Sequence, residues 1–588
     1  MERNLILAIV LSILIMIAYS QLVEKEILPG KLARQHVDET AAPSQDLESG
    51  EAFEIPAESA PTPIEPRLEE PPPPPTAETA LGEDVLVRTP LYTAVFSTYG
   101  GRLKSFTLNN YLKNKDCKCG PIDKVKALFG FSKPEYDTVD DEGEGELVQM
   151  VHAHRVKDLP LGIKMTGRPD RSGRSTRYLA DLTYEANTRE INLDDFSEST
   201  TLELTATGDD GIEVIERYTF NPDTYEIGME IEVGSLSRVH EGAIFSLSWA
   251  NDTRGDGKVS RYGGFAGFLA YINERLVKET QGKIKENKSY HQRVGWAGWS
   301  DNYFISAVIP EYPDIADFHV AKPEETTYRS YITYPTASFL EEDTALFRYG
   351  LYIGPKEMKA LEAAGSGLEE SIILGWFGFI AKPMLDCLEF FYKYTGNYGI
   401  AIIILTIVIK ILFIPLTHKS QQSMKKMQKD MARIQPELKA LREKFKDDPK
   451  RRQQEEMALY KAHNINPAAS LGGCLPMLLQ IPVFFALYRG LLSSIELRHA
   501  SFGLWITDLS AKDPCYVTPI IMGALMFAQS SMTPTAGTSE QAKMMKFMPL
   551  MFVFIFLSAP SGLVIYWLMS TLLSVGQQVM TNKFLTKE

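Results

Sequence analysis

The rhythm of apolar and polar positions changes several times along the chain. From about Leu5 to Val23 the run is almost wholly hydrophobic, long enough to cross a ~30 Å hydrocarbon core at ~1.5 Å per residue. It reads as a membrane anchor (residues 1–23) or as a cleaved signal peptide, since Ala18 and Ser20 precede a plausible cut before Gln21. In both cases the chain beyond it is exported. Residues 24–80 then turn to Pro, Glu, Ala and Ser, as in EIPAESAPTPIEPRLEEPPPPPTAETA. Such a stretch cannot bury enough apolar surface to offset its ordering entropy, and reads as a disordered tether.

A period of two takes over from residue 81 to about residue 355. In YEIGMEIEV, Tyr225, Ile227, Met229, Ile231 and Val233 fall on one face and Glu226, Glu230 and Glu232 on the other. The NPDT just before it is a turn leading back to IEVIERYTF, and VLVRTPLYTAVFSTYGGRLKSFTL repeats the scheme around a Gly-Gly turn. Many such strands with few helical runs predict a large antiparallel β-sandwich, assigned to residues 81–370. The stretch 371–397 is apolar and aromatic but interrupted about once per turn by Lys382, Asp386, Glu389 and Lys393. That pattern fits a helix lying in the bilayer interface, or else one packed on the sandwich.

From Tyr398 onward, residues 398–588, the pattern is that of a membrane core. Spans are expected over 398–416, about 471–492 and 516–532, with two more in 545–580 on either side of the break APSG at 559–562. With the first segment these make six. Between them, Met424, Met427, Met431, Ile434, Leu438, Leu441 and Phe445 recur at alternating steps of 3 and 4, a heptad seam. DDP at 447–449 stops it, and Lys450 to His463 offers a return helix, so residues 419–463 read as an antiparallel helical hairpin. The seam holds the two helices together, or its methionines accept varied apolar segments, since Met is unbranched and adaptable. The fold class is therefore a polytopic α-helical membrane protein with a cytoplasmic hairpin and a large all-β periplasmic sandwich.

Charge sets the orientation. The 588 residues carry a net charge of −14, but from Tyr398 onward there are 21 Lys and Arg against 12 Asp and Glu. Residues 419–470 alone hold 13 against 7, which places them in the cytoplasm, the sandwich in the periplasm and both termini in the cytoplasm. The five cysteines are odd in number and mostly far apart, which argues against a disulfide framework; Cys117 and Cys119 are read as incidental. His152 and His154 share a strand face but lack a third ligand at a suggestive spacing, so no metal is expected. Neither a phosphate-cradling GxxxxGK[ST] nor a GxSxG elbow occurs, and no enzyme, cofactor or nucleic-acid site is indicated.

One residue breaks the membrane pattern. Lys410 stands among isoleucines in YGIAIIILTIVIKILFIPL, at a cost of ~3 kcal/mol on insertion scales that the neighbours offset. Its ammonium can snorkel toward the end of the helix at Leu416, or it can await a negative group from another molecule, because no Asp or Glu occurs in any C-terminal span. Phe547 to Ala559 and Tyr516 to Met532 are short for the bilayer, and short spans thin it. Thinning lowers the cost of moving a polar segment across.

YGIAIIILTIVIKILFIPLTHKSQQSM, NPAASLGGCLPMLLQIPVFFALYRGL, FGLWITDLSAKDP and MPLMFVFIFLSAPSGLVIYWLMS, in this order around a charged hairpin, closely resemble the YidC family of membrane protein insertases. GWAGWSDNYFISAVIP and the GPKEM stretch resemble the end of that family's periplasmic domain in Gram-negative bacteria. The resemblance implies a hydrophilic, lipid-open groove in which a basic residue, usually arginine and here Lys410, draws in the polar or acidic flank of a client. It implies a groove position for Thr406, and client contact at Tyr566 and Trp567. A glutamine of the fourth span falls at Ser530 with Gln529 beside it, and a common asparagine appears as Thr571. It further implies an uncleaved first segment, a sandwich of sugar-enzyme type without known catalysis, nascent membrane proteins as clients and the Sec translocon as partner. Ribosome contact has the weaker support, since only TNKFLTKE follows Met580 and no basic tail is expected. Duller readings stand beside these: Thr406 bonding its own helix, Tyr566 and Trp567 as belt aromatics, Gly472 and Gly473 easing helix contact. The rival functions are a secondary transporter with an anion site, which would usually show repeated halves, and a tethered sugar-active protein, for which no acid and base pair is evident.

Overall fold

The computed structural model describes residues 82–585 except 114–145, 154, 168–175, 210, 237–242, 254–263, 325, 342, 447, 464–474 and 533–538. The first segment, the tether, Cys117, Cys119, His154, Gly472 and Gly473 lie outside the described residues.

The period-two region folds as three sheets of five, ten and six strands. The strand Glu226–Gly234 buries Ile227, Met229, Ile231 and Val233 and leaves its glutamates half-exposed, as the alternation requires. It pairs antiparallel with Glu213–Phe220 across the NPDT turn and with Thr344–Pro355 on its other edge. The Gly-Gly turn joins Tyr92–Ser97 to Arg102–Leu112. Gly100 and Gly101 both have positive φ, +81° and +61°, the backbone a tight hairpin of this hand demands. The facing sheets bury an aromatic core that includes Phe96, Phe106, Tyr218, Phe245 and Trp296.

The helices come after the sheets in the chain. α1 (Met358–Ala364) is a short lead-out, and α2 (Gly378–Thr395) is the amphipathic segment. α3 (Tyr398–Lys444) is a single helix of 47 residues, so the expected span and the first arm of the hairpin are one element with no break near residue 417. Pro415 lies inside it and forfeits one backbone bond without ending the helix. α4 (Pro449–Ala462) starts with Pro at its first position, and Asp448 caps it by accepting from Arg451 N at 3.0 Å. It returns along α3 over the seam, where Ile434 and Leu438 are buried and Arg442 pairs with Glu456 at 2.8 Å.

α5 (Leu475–Ser493), α6 (Val517–Met532), α7 (Ser539–Phe556) and α8 (Ser561–Leu585) complete the bundle. The break between α7 and α8 falls at the APSG sequence. α7 has 18 residues and starts well before Phe547, so its apolar part is short but its helix is not. Among the described residues two helical stretches are long and apolar enough to cross a membrane, Tyr398–His418 and Ser561–Met580, with Val517–Ser531 shorter. Cys387 is free, whereas Cys515 is disulfide-bonded. This corrects the expectation drawn from spacing, because distance along the chain does not limit which cysteines folding brings together.

The sandwich docks on the bundle through a few polar clamps. Arg498, in the loop between α5 and α6, donates to Leu112 O and Lys113 O at 2.8 and 2.9 Å, and its guanidinium lies over the rings of Tyr303 and Phe304. Lys359 on α1 bonds Glu389 on α2, and Ser493 bonds Ile373 O.

Candidate functional site: a polar lane between α3, α5 and α8

One end of the lane is closed by the loop that carries TDLSAKDP. Asp508 Oδ1 accepts from the backbone of His499, Ser510 and Ala511, which curls the loop on itself. Asp513 accepts from Cys515 N and from Thr518 N and Oγ1, capping α6. The loop then interlocks with the start of α8. Ser561 donates to Ala511 O through its N–H and to Asp508 O through its hydroxyl, and Gly562 N donates to Leu509 O. A Cβ at Gly562 would stand 2.9 Å from a methyl of Leu491 and 3.2 Å from one of Ile402, so the glycine lets α3, α5 and α8 meet there without displacing either side chain. Asn397 fixes the same end of α3, accepting from Ile400 N and donating to Phe502 O at 3.0 Å.

Below this plug α3 and α8 run side by side in the same direction. The polar residues of α8 recur at 566, 570, 574 and 577, one helical face. Gln480 of α5 donates to Tyr566 Oη, and also to Ser570 Oγ at 3.2 Å. Ser574 donates to Ser570 O at 2.8 Å and accepts from Lys410 Nζ at 2.9 Å. Gln577 donates to Thr417 Oγ1 at 3.1 Å. Tyr566 to Gln577 spans ~17 Å of helix, so hydrogen-bonding groups line more than half of a hydrocarbon thickness.

Lys410 sits at the centre, half-buried. Its hydrogen bond among the described residues is to a neutral hydroxyl, and no ion pair of the described residues includes it. An ammonium has three N–H donors, so two are left for an acceptor from elsewhere. Thr406 is 1% exposed and donates to Ile402 O at 2.6 Å, bonding its own helix rather than facing the lane. Tyr566 is fully buried beside Gln480, while Trp567 packs against Phe484, Phe552 and Phe556. Ser530 on α6 is half-exposed and donates to Phe527 O, and Gln529 stands beside it. Met431 is half-buried on the hairpin arm of α3; Met424 and Met427 lie on the same arm, their side chains outside the description. Sequence reasoning missed Gln480, Ser570, Ser574, Gln577 and Thr417. The four-residue spacing of hydroxyls and amides on α8 was the signal that could have found most of them.

The sequence matches known proteins along most of its length. Residues 390–588 match the family model described as 60Kd inner membrane protein, and residues 134–387 match the one described as YidC periplasmic domain. A membrane protein insertase YidC of Syntrophus aciditrophicus (strain SB) is 39% identical over 595 residues, covering 99% of this chain and 100% of its own. One from Geobacter sp. (strain M21) is 42% identical over 509 residues, 86% of each chain. Among solved structures, the active YidC insertase crystal structure with the first transmembrane domain resolved is 18% identical, covers 85% of this chain and 95% of that one, and gives a TM-score of 0.34. Identity of this order to the insertases of both bacteria, over 99% of this chain in one and 86% in the other, leaves one conclusion: the chain belongs to the YidC family of membrane protein insertases.

Proposed function

We propose that this protein moves the hydrophobic segments of nascent membrane proteins from the cytoplasm into the inner membrane along the lane that contains Lys410, alone or together with the Sec translocon. The observation that carries the reading is the half-buried ammonium of Lys410, held by a serine hydroxyl with donors to spare. A client's acidic or polar flank enters from the cytoplasmic side and is received by Lys410 and the hydroxyls and amides around it. The plug formed by the 508–513 loop and the start of α8 stops it at the periplasmic end. Tyr566, Trp567, Gln529 and Ser530 border the path, Thr406 supports it from behind, and Met424, Met427 and Met431 on the hairpin meet the client first.

In this reading the bundle has six spans, with both termini and the hairpin (419–463) in the cytoplasm. The sandwich (81–370) is periplasmic, tethered by residues 24–80 to the first span (1–23), and α2 lies in the interface. The drive is transfer of the client into lipid. A segment of ~20 apolar residues at roughly −0.3 to −0.6 kcal/mol each gains about 6–12 kcal/mol, enough to carry a short polar flank across without nucleotide hydrolysis.

The test is insertion of a client with an acidic tail into proteoliposomes. Lys410→Arg should retain activity, because the charge is kept although the shape changes. Lys410→Glu should lose most of it for acidic tails and recover when the tail is made basic. An unchanged rate for the glutamate variant would refute an electrostatic role.

A further inference from the structure

A cavity of about 670 Å³ lies where the sandwich meets α2. It falls within the ~300–1,000 Å³ usual for small-ligand sites. Its wall has four charged side chains from three elements: Lys278 on the strand Arg275–Thr280, Glu370 in the 3-10 turn Leu368–Ser371, and Lys382 and Asp386 on α2. Between them the surface is apolar, from Leu276, Ile372 and Leu374. Gly375 and Gly378 keep the turn into α2 low, and Gly375 has a positive φ of +72°.

The surroundings fix the kind of molecule that reaches this cavity. Trp376 is 64% exposed and Phe379 71% exposed, both at the start of α2. An aromatic pair exposed beside a helix of alternating apolar and charged turns sits where headgroups meet acyl chains. Two cations and two carboxylates around one apolar-floored cavity are complementary to a zwitterion: an anion for the lysines, a cation with N–H donors for Glu370 and Asp386. A lone phosphate would leave the carboxylates opposed to it, and a purely anionic lipid would do the same.

We propose that this cavity holds the headgroup of a phosphoethanolamine lipid from the periplasmic leaflet, with its phosphate toward Lys278 and Lys382 and its primary ammonium toward Glu370 and Asp386. The inference rests on the reading of α2 as an interfacial helix. By bridging Lys278 of the sandwich to Lys382 of α2, the lipid couples the orientation of the periplasmic domain to the membrane surface.

The experiment uses the full chain in nanodiscs containing equal parts of dioleoyl phosphatidylethanolamine, phosphatidylcholine and phosphatidylglycerol, with retained lipid read by native mass spectrometry. Phosphatidylethanolamine should be enriched over phosphatidylcholine by roughly fivefold, the worth of about one net hydrogen bond. Glu370→Gln with Asp386→Asn should erase that preference, since phosphatidylcholine differs only at the ammonium. Lys278→Glu with Lys382→Glu should lower retention of both. Retention in proportion to the bilayer, preference for phosphatidylglycerol, or variants that behave as the unaltered chain would each overturn the proposal. Quenching of tryptophan fluorescence by lipids brominated on the acyl chain, compared with Trp376→Phe, reports separately whether α2 lies in the interface. Headgroup selectivity can therefore fail while that placement stands. Thermal unfolding of each variant, matched to the unaltered chain, excludes a folding defect.

Discussion

The inward face of the strand Glu213–Phe220 carries a carboxyl among apolar side chains, and its protonation can be read from hydrogen-bond accounting. Glu216 is fully buried between Val214 and Tyr218. Tyr218 Oη lies 2.7 Å from Glu216 Oε2 and 3.1 Å from Gly101 O. A phenol has one proton, so the tyrosine shares it between the carboxyl oxygen and Gly101 O, and one shared donor does little to support a buried carboxylate. Full burial favours the neutral acid. Burial pushes it up to about 8, and the hydroxyls of Tyr218 and Tyr184, with nearby Arg102, only partly oppose this. Because the folded value lies above the ordinary carboxylate value of 4.5, the associated stability is fully present below pH 4.5 and is lost as pH rises toward about 8. The slope is about 1.4 kcal/mol per pH unit and flattens near pH 8, so roughly 2 kcal/mol disappears between pH 6 and 8. For a domain of this size that is a fall of about 4–8 °C in Tm. The assay is thermal unfolding of the full chain in detergent, followed by the sandwich tryptophans Trp249, Trp296 and Trp299. Glu216→Gln keeps a donor toward Tyr218 without an ionisable proton, so its Tm should fall less over the same range. Lys356, lowered by burial to about 7, contributes the opposite slope from pH 7 upward, and comparison with the variant cancels it. Parallel pH profiles for the variant and the unaltered chain would refute the reasoning, since Glu216 would then titrate as an ordinary carboxylate.

Two further outcomes concern contacts that tie the parts together. Arg498→Ala removes both carbonyl bonds to residues 112 and 113 and the stacking on Tyr303 and Phe304, so it should cost about 2 kcal/mol of docking. Distance distributions between spin labels on the sandwich and on the bundle should broaden; unchanged distributions would show that the clamp is dispensable. Gln480→Leu leaves the Tyr566 hydroxyl and Ser570 without their α5 partner, and should lower the thermal stability of the bundle by about 1–3 kcal/mol while leaving the unfolding of the sandwich unaltered.

The sandwich was legible because each strand buries one face, and alternation then comes from the geometry of the backbone. Tyr225 through Val233 needed no partner to be read. The Gly-Gly turn was equally plain, since two consecutive positive φ values admit few other residues. Lys410 was legible for the opposite reason, as a violation of its surroundings. Its acceptor was not. Serine and threonine are common in spans and bond their own helix, as Thr406 does with Ile402 O, so their presence on α8 carries little signal until a neighbouring helix supplies the cation. Gln480 is the single amide of a largely apolar helix, and only the packing of α5 on α8 reveals that it bonds two side chains at once.

The continuity of α3 was hidden by composition, and it has a consequence for the proposed path. The apolar run ends near residue 416 and a charged heptad begins, so sequence alone reads two elements with a joint between them. The backbone reads neither composition nor solvent: once α3 is nucleated, each added residue costs little, and Pro415 removes one bond from a ladder of many. Lys410 and the hairpin methionines therefore share one helix. Met424 lies 14 residues beyond Lys410 and Met431 lies 21, or ~21 and ~32 Å along the axis. That interval brackets the length of a membrane-spanning segment. A client whose polar flank is held at Lys410 would keep its hydrophobic segment alongside the methionines of the same helix. A hinge engineered between the two sites, such as glycines at 417–419, should then uncouple capture from insertion: crosslinks to Lys410 would persist while the yield of inserted client falls. Equal yields with and without the hinge would show that the two sites act independently.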